Sequence, residues 1–485
     1  MIKNERQYRI TRAQLDRFSD AIKQAEISPG QGLDPLLKKA HLEALQSQFK
    51  DLEAEVAAYE ALQTGTAHVV EVESFDELPS ALIRARIARG LSQKELAERL
   101  SLKEQQVQRY EATNYAGASF SRLSEVVKAL GISVREDIFV PTDQLSIKSF
   151  LARLESLGFN KEFVKQRLFS RDLSAEPGND QEQNIAQTIF GAASALRRML
   201  GWSLAEILGP MQPQLDLAIA GAARFKLPAR VADRSLGAYT HYAHHLSQLA
   251  LDATSGLITK PIPRDPMVVC KSIRAEFGEL SFSAALEYVW NLGIVVLPLD
   301  DSGAFHGACW RIRGRNVIVL KQKTKSETRW LFDLLHELWH AGEEPELEER
   351  TILELSETDP ERRTGDEEKR ASRFAGNVVL EGRAETLVGM IVKETGGEIP
   401  LFKSALPRIA NRENAPADAL ANYLAFRLSL QGENWWGTAS NLQTPGDPWL
   451  IARDTFLLKS NISRLNMVDC GLLARALEEP SEVAA

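Results

Sequence analysis

His336, Glu337 and His340 stand in the order H-E-x-x-H within "LFDLLHELWHAGEE", Leu331 to Glu344. On a helix, positions four apart share a face, so both imidazoles can point at one ion. Glu337, one step round, can reach a water on that ion and accept its proton. Zinc (Zn2+) suits this donor pattern. It takes neutral imidazoles, keeps a fourth position open and lowers the pKa of a water there to about 7. The chemistry implied is hydrolysis of a peptide bond, with Glu337 passing the proton on to the leaving amine. Trp330, Leu331, Phe332, Leu334, Leu335, Leu338 and Trp339 make the segment apolar nearly all round, so the helix is predicted to be buried. Two histidines and a glutamate there cost on the order of several kcal/mol unless satisfied, and a metal would satisfy them.

The elements that must hold this helix begin after the turn-rich "ITKPIPRDP". The pattern predicts helices over Val268–Phe277 and "SAALEYVWNLG", then a strand over Ile294–Leu299. Two apolar runs, Ala304–Ile312 and Asn316–Lys321, read as a hairpin joined by "RGRN". The acid-rich run Gly342 to Lys369 reads as a solvated loop or helix face.

A second constellation lies far upstream, in Leu78 to Ala112. A helix stops at Gly90, Ser92 caps the next, and Glu95 completes a capping box. Leu96, Ala97 and Leu100 face inward, and the link Ser101-Leu102 leads to a third helix with Val107 inward. A closing helix carries Leu123, Val126, Val127 and Leu130 on one face. The third helix offers Lys103, Gln105, Gln106, Gln108 and Arg109 to the outside. Gln can bond adenine and Arg can bond guanine bidentately in the major groove. Gln93, Lys94 and Lys103 suit phosphates. The segment is locally basic in a chain whose net charge is −8.

"GLSQKELAERL" and the later "QRYE" resemble the XRE-type helix-turn-helix of phage repressors and antitoxins. Two departures are Ser101, where Gly is common, and Lys103, where Ser or Thr often caps. The strand, hairpin, H-E-x-x-H helix and the E-x-x-A-x-x-F-A pattern in "EKRASRFA" resemble the ImmA/IrrE metallopeptidases. That resemblance implies a third metal ligand three residues before the Ala of the motif. Carried onto this chain it is Glu368, with Ala371, Phe374 and Ala375 completing the motif and Glu367 as runner-up. The chain departs at Trp339, where a small residue is usual, at Ser372, where Asn is usual, and at "VVLEG".

Other features stand beside these. Leu42, Leu45, Phe49, Leu52, Val56 and Tyr59 form an a/d seam, which fits either a dimer contact or a helix packing on its own chain. His241, His244 and His245 share a helix but lack an acid at metalloprotease spacing, so they read as a surface or core patch. His306, in the hairpin, reads as a strand histidine or as a lining residue of the active site. Cys270, Cys309 and Cys470 are too few and too scattered for a disulfide framework or a cysteine zinc ribbon. With no signal peptide and no apolar run long enough to span a bilayer, a cytoplasmic, membrane-free protein is expected.

The expected fold is mainly α. Residues 1–65 form an N-terminal helical segment, a candidate coiled coil for dimerisation, and 77–140 the XRE-type DNA-binding domain. Residues 141–260 form a helical connector, 261–382 an α+β, zincin-like metallopeptidase domain with a small sheet, and 383–485 a C-terminal helical region. The function implied is a homodimeric transcriptional regulator on a double-stranded DNA operator. Its zinc endopeptidase cuts a repressor-like protein, or its own chain, in stress, phage-repression or toxin–antitoxin control. The alternative is a non-catalytic dimeric repressor or antitoxin whose peptidase-like domain is a sensor or scaffold.

Overall fold

Two long helices open the chain, α1 (Glu5–Ile27) and α2 (Pro35–Gln63). The computed structural model describes residues 1–27, 35–64, 72, 75–134, 146–169, 181–209, 213, 231–301, 305–322, 324–355 and 366–478. The expected boundaries at 65 and 140, the break at 177–178 and most of 209–213 lie outside these. The chain folds as two compact units, 1–140 and 141–485.

In the first unit the α2 seam packs on the same chain. Val56 and Tyr59 are buried with Leu15 of α1, and Phe49 and Leu52 pack against that core. Tyr8 stacks on Tyr59 with centroids 5.1 Å apart and donates to Glu60 at 2.5 Å. The same core includes Leu82 of α3 (Leu78–Ala88), Leu96 of α4 (Gln93–Arg99), Val107 of α5 (Glu104–Ala112) and Leu130 of α6 (Phe120–Leu130). The capping box forms as its sequence predicts: Glu95 N donates to Ser92 Oγ at 3.1 Å and Ser92 N to Glu95 at 2.7 Å.

The second unit is helical around one sheet. Helices α7 (Ile147–Ser156), α8 (Lys161–Phe163), α9 (Gln181–Leu200), α10 (Leu204–Leu208) and α11 (Val231–Ala253) come first, then α12 (Pro266–Phe277) and α13 (Phe282–Asn291). Strands β1 (Val295–Pro298), β2 (Phe305–Ile312), β3 (Arg315–Leu320) and β4 (Arg350–Leu355) pair in the order β1-β3-β2-β4. β1 runs parallel to β3, while β2 is antiparallel to both β3 and β4. β4 corrects the reading of Gly342–Lys369 as solvated loop or helix face. Within that acidic run, "RTILEL" carries Thr351 and Ile352, and the strand forms because β2 offers it a ladder.

Helix α14 (Glu327–Ala341), which carries the H-E-x-x-H, packs on β2 and β3. Alternate strand residues face opposite ways. Thus Arg311 of β2 reaches the end of α14, while Trp310 meets His244 of α11, with ring centroids 5.8 Å apart. Next come α15 (Asp366–Val379), α16 (Ala384–Thr395), α17 (Ile399–Arg412), α18 (Ala417–Ser429), α19 (Trp436–Ser440), α20 (Pro448–Lys459) and α21 (Met467–Ala476). Gly376 lets α15 and α18 approach, because a Cβ there would overlap the Tyr423 ring. Ser326, which caps α14, donates to Gln443 at 2.6 Å, and Thr328 donates to Asp418 at 2.5 Å. The C-terminal helices therefore grip the start of the metal-type helix. Among the described residues no helix is long and apolar enough to cross a membrane.

Candidate metal centre and nucleic-acid interface

Helix α14 is buried on most sides, as its apolar composition predicts, and His336, Glu337 and His340 are 6%, 1% and 1% exposed. His336 Nε2 and His340 Nε2 lie 3.1 Å apart. Glu368, in the first turn of α15, places Oε2 3.2 Å from His336 Nε2 and Oε1 3.5 Å from His340 Nε2. These donors all lie within 4.8 Å of one another. The edge of a tetrahedron of zinc ligands is about 3.3 Å for bonds of 2.0–2.1 Å, so the spacings fit such an ion. Burial opposes ionisation of Glu368, but hydrogen bonds from His336 and His340 outweigh it and hold the carboxyl well below its usual range.

Helix α15 gives more than Glu368. Ser372 Oγ lies 3.2 Å from His336 Nδ1, and Glu367 Oε1 lies 3.7 Å from His340 Nδ1. Each ring therefore has one nitrogen inside the donor cluster and the other near a group on α15. Glu367, the runner-up ligand, stands at the outer nitrogen of His340. Glu337 faces β2, where burial first and then its carboxylate push the Cys309 thiol well above the ordinary value. The expected ligands His336, His340 and Glu368 are thus brought together in one place, with Glu337 next to His336 on the same helix.

The end of α14 is held by arginines that sequence reasoning did not single out. Arg264 donates to Trp339 O at 2.6 Å, Arg350 to His340 O at 2.8 Å and Arg311 to Ala341 O at 2.7 Å. Three successive carbonyls at a helix C-terminus thereby gain a cationic donor each, beside the backbone N–H groups of Gly342 and Glu343 on the first two and the Asn316 amide on the third. Arg264 also lies over the Trp339 ring, 4.6 Å from its centroid, and Arg370 approaches it at 5.6 Å. Trp339, only 6% exposed, is a packing piece between guanidinium groups, edge-on to His340. No signal short of the fold marks these arginines, because their partners are 10 to 75 residues away in sequence.

His241 and His245 are buried, and burial first, then these two neighbours, lower the His244 pKa to about 4. His245 faces Asp469 at 3.4 Å rather than a metal cluster, in keeping with a core patch. The His306 side chain lies outside what is described.

In the first unit, α5 exposes Lys103, Gln105, Gln106, Gln108 and Arg109 together, and Lys94 is exposed on α4. Gln106 folds back to accept from Lys103 N at 3.1 Å, the half of a capping box that the third helical residue supplies, while the Lys103 side chain makes no capping bond. Gln108 donates to Glu104 at 2.9 Å. Gln93 donates to Glu111 at 2.7 Å, and Glu111 forms a buried ion pair with Arg86 at 2.6 Å. That carboxylate ties together α3, α4 and α5, which fixes how α5 is presented.

Residues 82–136 match a family model described as helix-turn-helix, and residues 291–386 match one described as IrrE N-terminal-like domain. The first match covers most of α3 and all of α4 to α6. The second runs from the end of α13 through β1, α14 and α15. No curated protein and no solved structure matches the chain.

Proposed function

We propose that this chain, which joins an XRE-type helix-turn-helix to an ImmA/IrrE-like domain, is a DNA-binding regulator with zinc-dependent endopeptidase activity. The observation that carries the reading is the convergence of His336, His340 and Glu368, beside Glu337, in the domain that follows a DNA reader. These three residues would hold the ion. When bound, zinc supplies a Lewis acid and draws the pKa of a water down toward neutrality. Glu337, next to His336 in the chain, would take a proton from a water held there and return it to the leaving amine. Ser372 would orient the His336 ring, and the arginines at the end of α14 hold the backbone that carries both histidines.

On α5, Gln105, Gln108 and Arg109 read bases, while Lys94 and Lys103 meet phosphates, with Gln93 and Gln106 framing the helix. A homodimer on a two-fold operator is the expected assembly. The substrate is a repressor-like protein, in trans or the chain itself, in stress, phage-repression or toxin–antitoxin control in the cytoplasm. Tethering peptidase to reader raises its effective concentration at the operator.

The near-complete burial of Glu337 and His340 favours a second reading, in which the domain holds metal as a sensor or scaffold and cuts nothing. Zinc content and cleavage of repressor-like regulators, measured with and without DNA in the wild type and in Glu337→Gln, separate the two. Zinc in both, with cleavage lost only in the variant, is the expected result. Zinc in both and cleavage by neither supports the scaffold. A wild type that binds no zinc overturns the metal centre.

A further inference from the structure

His340 is fully enclosed, and its Nδ1 has no hydrogen-bond partner among the described residues. Its other nitrogen, Nε2, lies inside the donor cluster. A metal on Nε2 requires the proton on Nδ1, and a buried N–H needs an acceptor. One carboxylate stands within reach: Glu367 Oε1, at 3.7 Å, just beyond hydrogen-bond length. That oxygen does not stand loose. Arg350, at the start of β4, donates to it at 3.0 Å and, with another nitrogen, to the carbonyl of His340 itself at 2.8 Å. A third bond, from Arg350 Nε to Glu344 at 3.0 Å, fixes the guanidinium. One arginine thus grips both the backbone of a ligand residue and the carboxylate facing its ring.

We infer that Glu367 is a positioning residue: it accepts a hydrogen bond from the Nδ1–H of His340, with Arg350 as its anchor, and so turns Nε2 toward the ion. The contact closes from 3.7 Å by a small rotation of either side chain when the site is loaded. The inference rests on reading His336, His340 and Glu368 as the metal ligands, and it gives β4 a task. The strand hidden in the acidic run delivers the arginine that sets the orienting carboxylate.

The test uses the full chain. Zinc affinity is measured by competition with a chromogenic chelator, and the visible spectrum of the cobalt-substituted protein reports ligand geometry. Glu367→Ala should bind zinc about 10- to 100-fold more weakly and shift the cobalt bands. Glu367→Gln keeps an acceptor oxygen toward Nδ1, so it should recover most of the affinity and the wild-type bands. Arg350→Gln, which frees the carboxylate, should fall between. Wild-type affinity and spectrum in Glu367→Ala overturn the inference. So does a Glu367→Gln protein as weak as Glu367→Ala, because charge toward Arg350 would then be the whole contribution. If the wild type itself takes up no zinc, the metal-centre reading fails first, and the inference falls with it. Glu367→Gln is near-isosteric, so the comparison survives if the alanine variant does not fold.

Discussion

The Ser372 hydroxyl lies 3.2 Å from Nδ1 of His336, at the position where the ImmA/IrrE resemblance leads one to expect Asn. The departure therefore keeps a polar group on the outer nitrogen of the ring. Serine accepts or donates through one oxygen, as the carboxamide would do on a longer arm. Ser372→Ala should weaken zinc binding about 10-fold, the low end for such orienting partners. Ser372→Asn should bind near the wild-type level. Chelator competition at fixed pH reads both, and an alanine variant with unchanged affinity would reduce the serine to packing.

Ser101, which stands where glycine is common in the helix-turn-helix resemblance, adopts φ of 53°. A side chain in that left-handed region costs roughly 1–2 kcal/mol, and glycine escapes the cost while adding disorder to the unfolded chain. The turn between α4 and α5 is thus strained as it stands. Ser101→Gly should stabilise the first unit by up to about 1 kcal/mol without touching α5. Slower amide exchange across α4 and α5 in the full chain is the expected readout, and faster exchange would contradict it.

Local chemistry makes much of this legible. The capping box at Ser92 and Glu95 needs a single turn of helix, and the pairing of His336 with His340 needs one helical period. The apolar runs around Val296, Trp310 and Val319 mark strands for the same reason. What stays hidden depends on partners far away in sequence. β4 lies in a run dominated by glutamates and exists through its ladder with β2. Spacing alone separates Glu367 from Glu368 only weakly, since they are neighbours on one helix; the geometry puts Glu368 at both Nε2 atoms and Glu367 at an outer nitrogen. Arg264, Arg311 and Arg350 converge on one helix end from separate elements, and no pattern within a short window predicts that. The α2 seam is ambiguous in sequence because a/d spacing serves an intrachain partner as well as a second copy, and α1 fills that place here.

Asp469 links three elements of the second unit. It accepts from Arg198 at 2.6 Å and 2.8 Å, from Asn466 at 2.7 Å, and lies 3.4 Å from His245. Burial opposes its ionisation, but hydrogen bonds from His245 and Arg198 outweigh that and hold its pKa well below the usual carboxylate value. A depressed carboxylate pKa contributes stability that is fully present above the unfolded value, about 3.9, and is lost as pH falls from there toward the folded value. Asp469→Asn should cost about 1–3 kcal/mol at neutral pH. The difference in melting temperature between wild type and variant should hold down to about pH 4 and shrink as pH is lowered from there toward about 2. A difference that holds constant through that window would show that the charge of Asp469 contributes nothing.

Arg109 sits on the outer face of α5, in the last turn, exposed beside Gln105 and Gln108. A bidentate contact from a guanidinium to guanine in the major groove discriminates against other bases by about 1–3 kcal/mol. Arg109→Ala should weaken binding to a selected operator by that amount and relax preference at one base pair. Lys94→Ala and Lys103→Ala should act differently: affinity falls for every sequence alike, and the slope of log affinity against log salt decreases by roughly one for each phosphate no longer neutralised. Operator selection from a random pool, followed by fluorescence anisotropy at several salt concentrations, separates the two behaviours. If Arg109→Ala instead lowers affinity uniformly and flattens the salt slope, the residue binds a phosphate. The base-reading task would then fall to Gln105 and Gln108, of which Gln108 must first release Glu104.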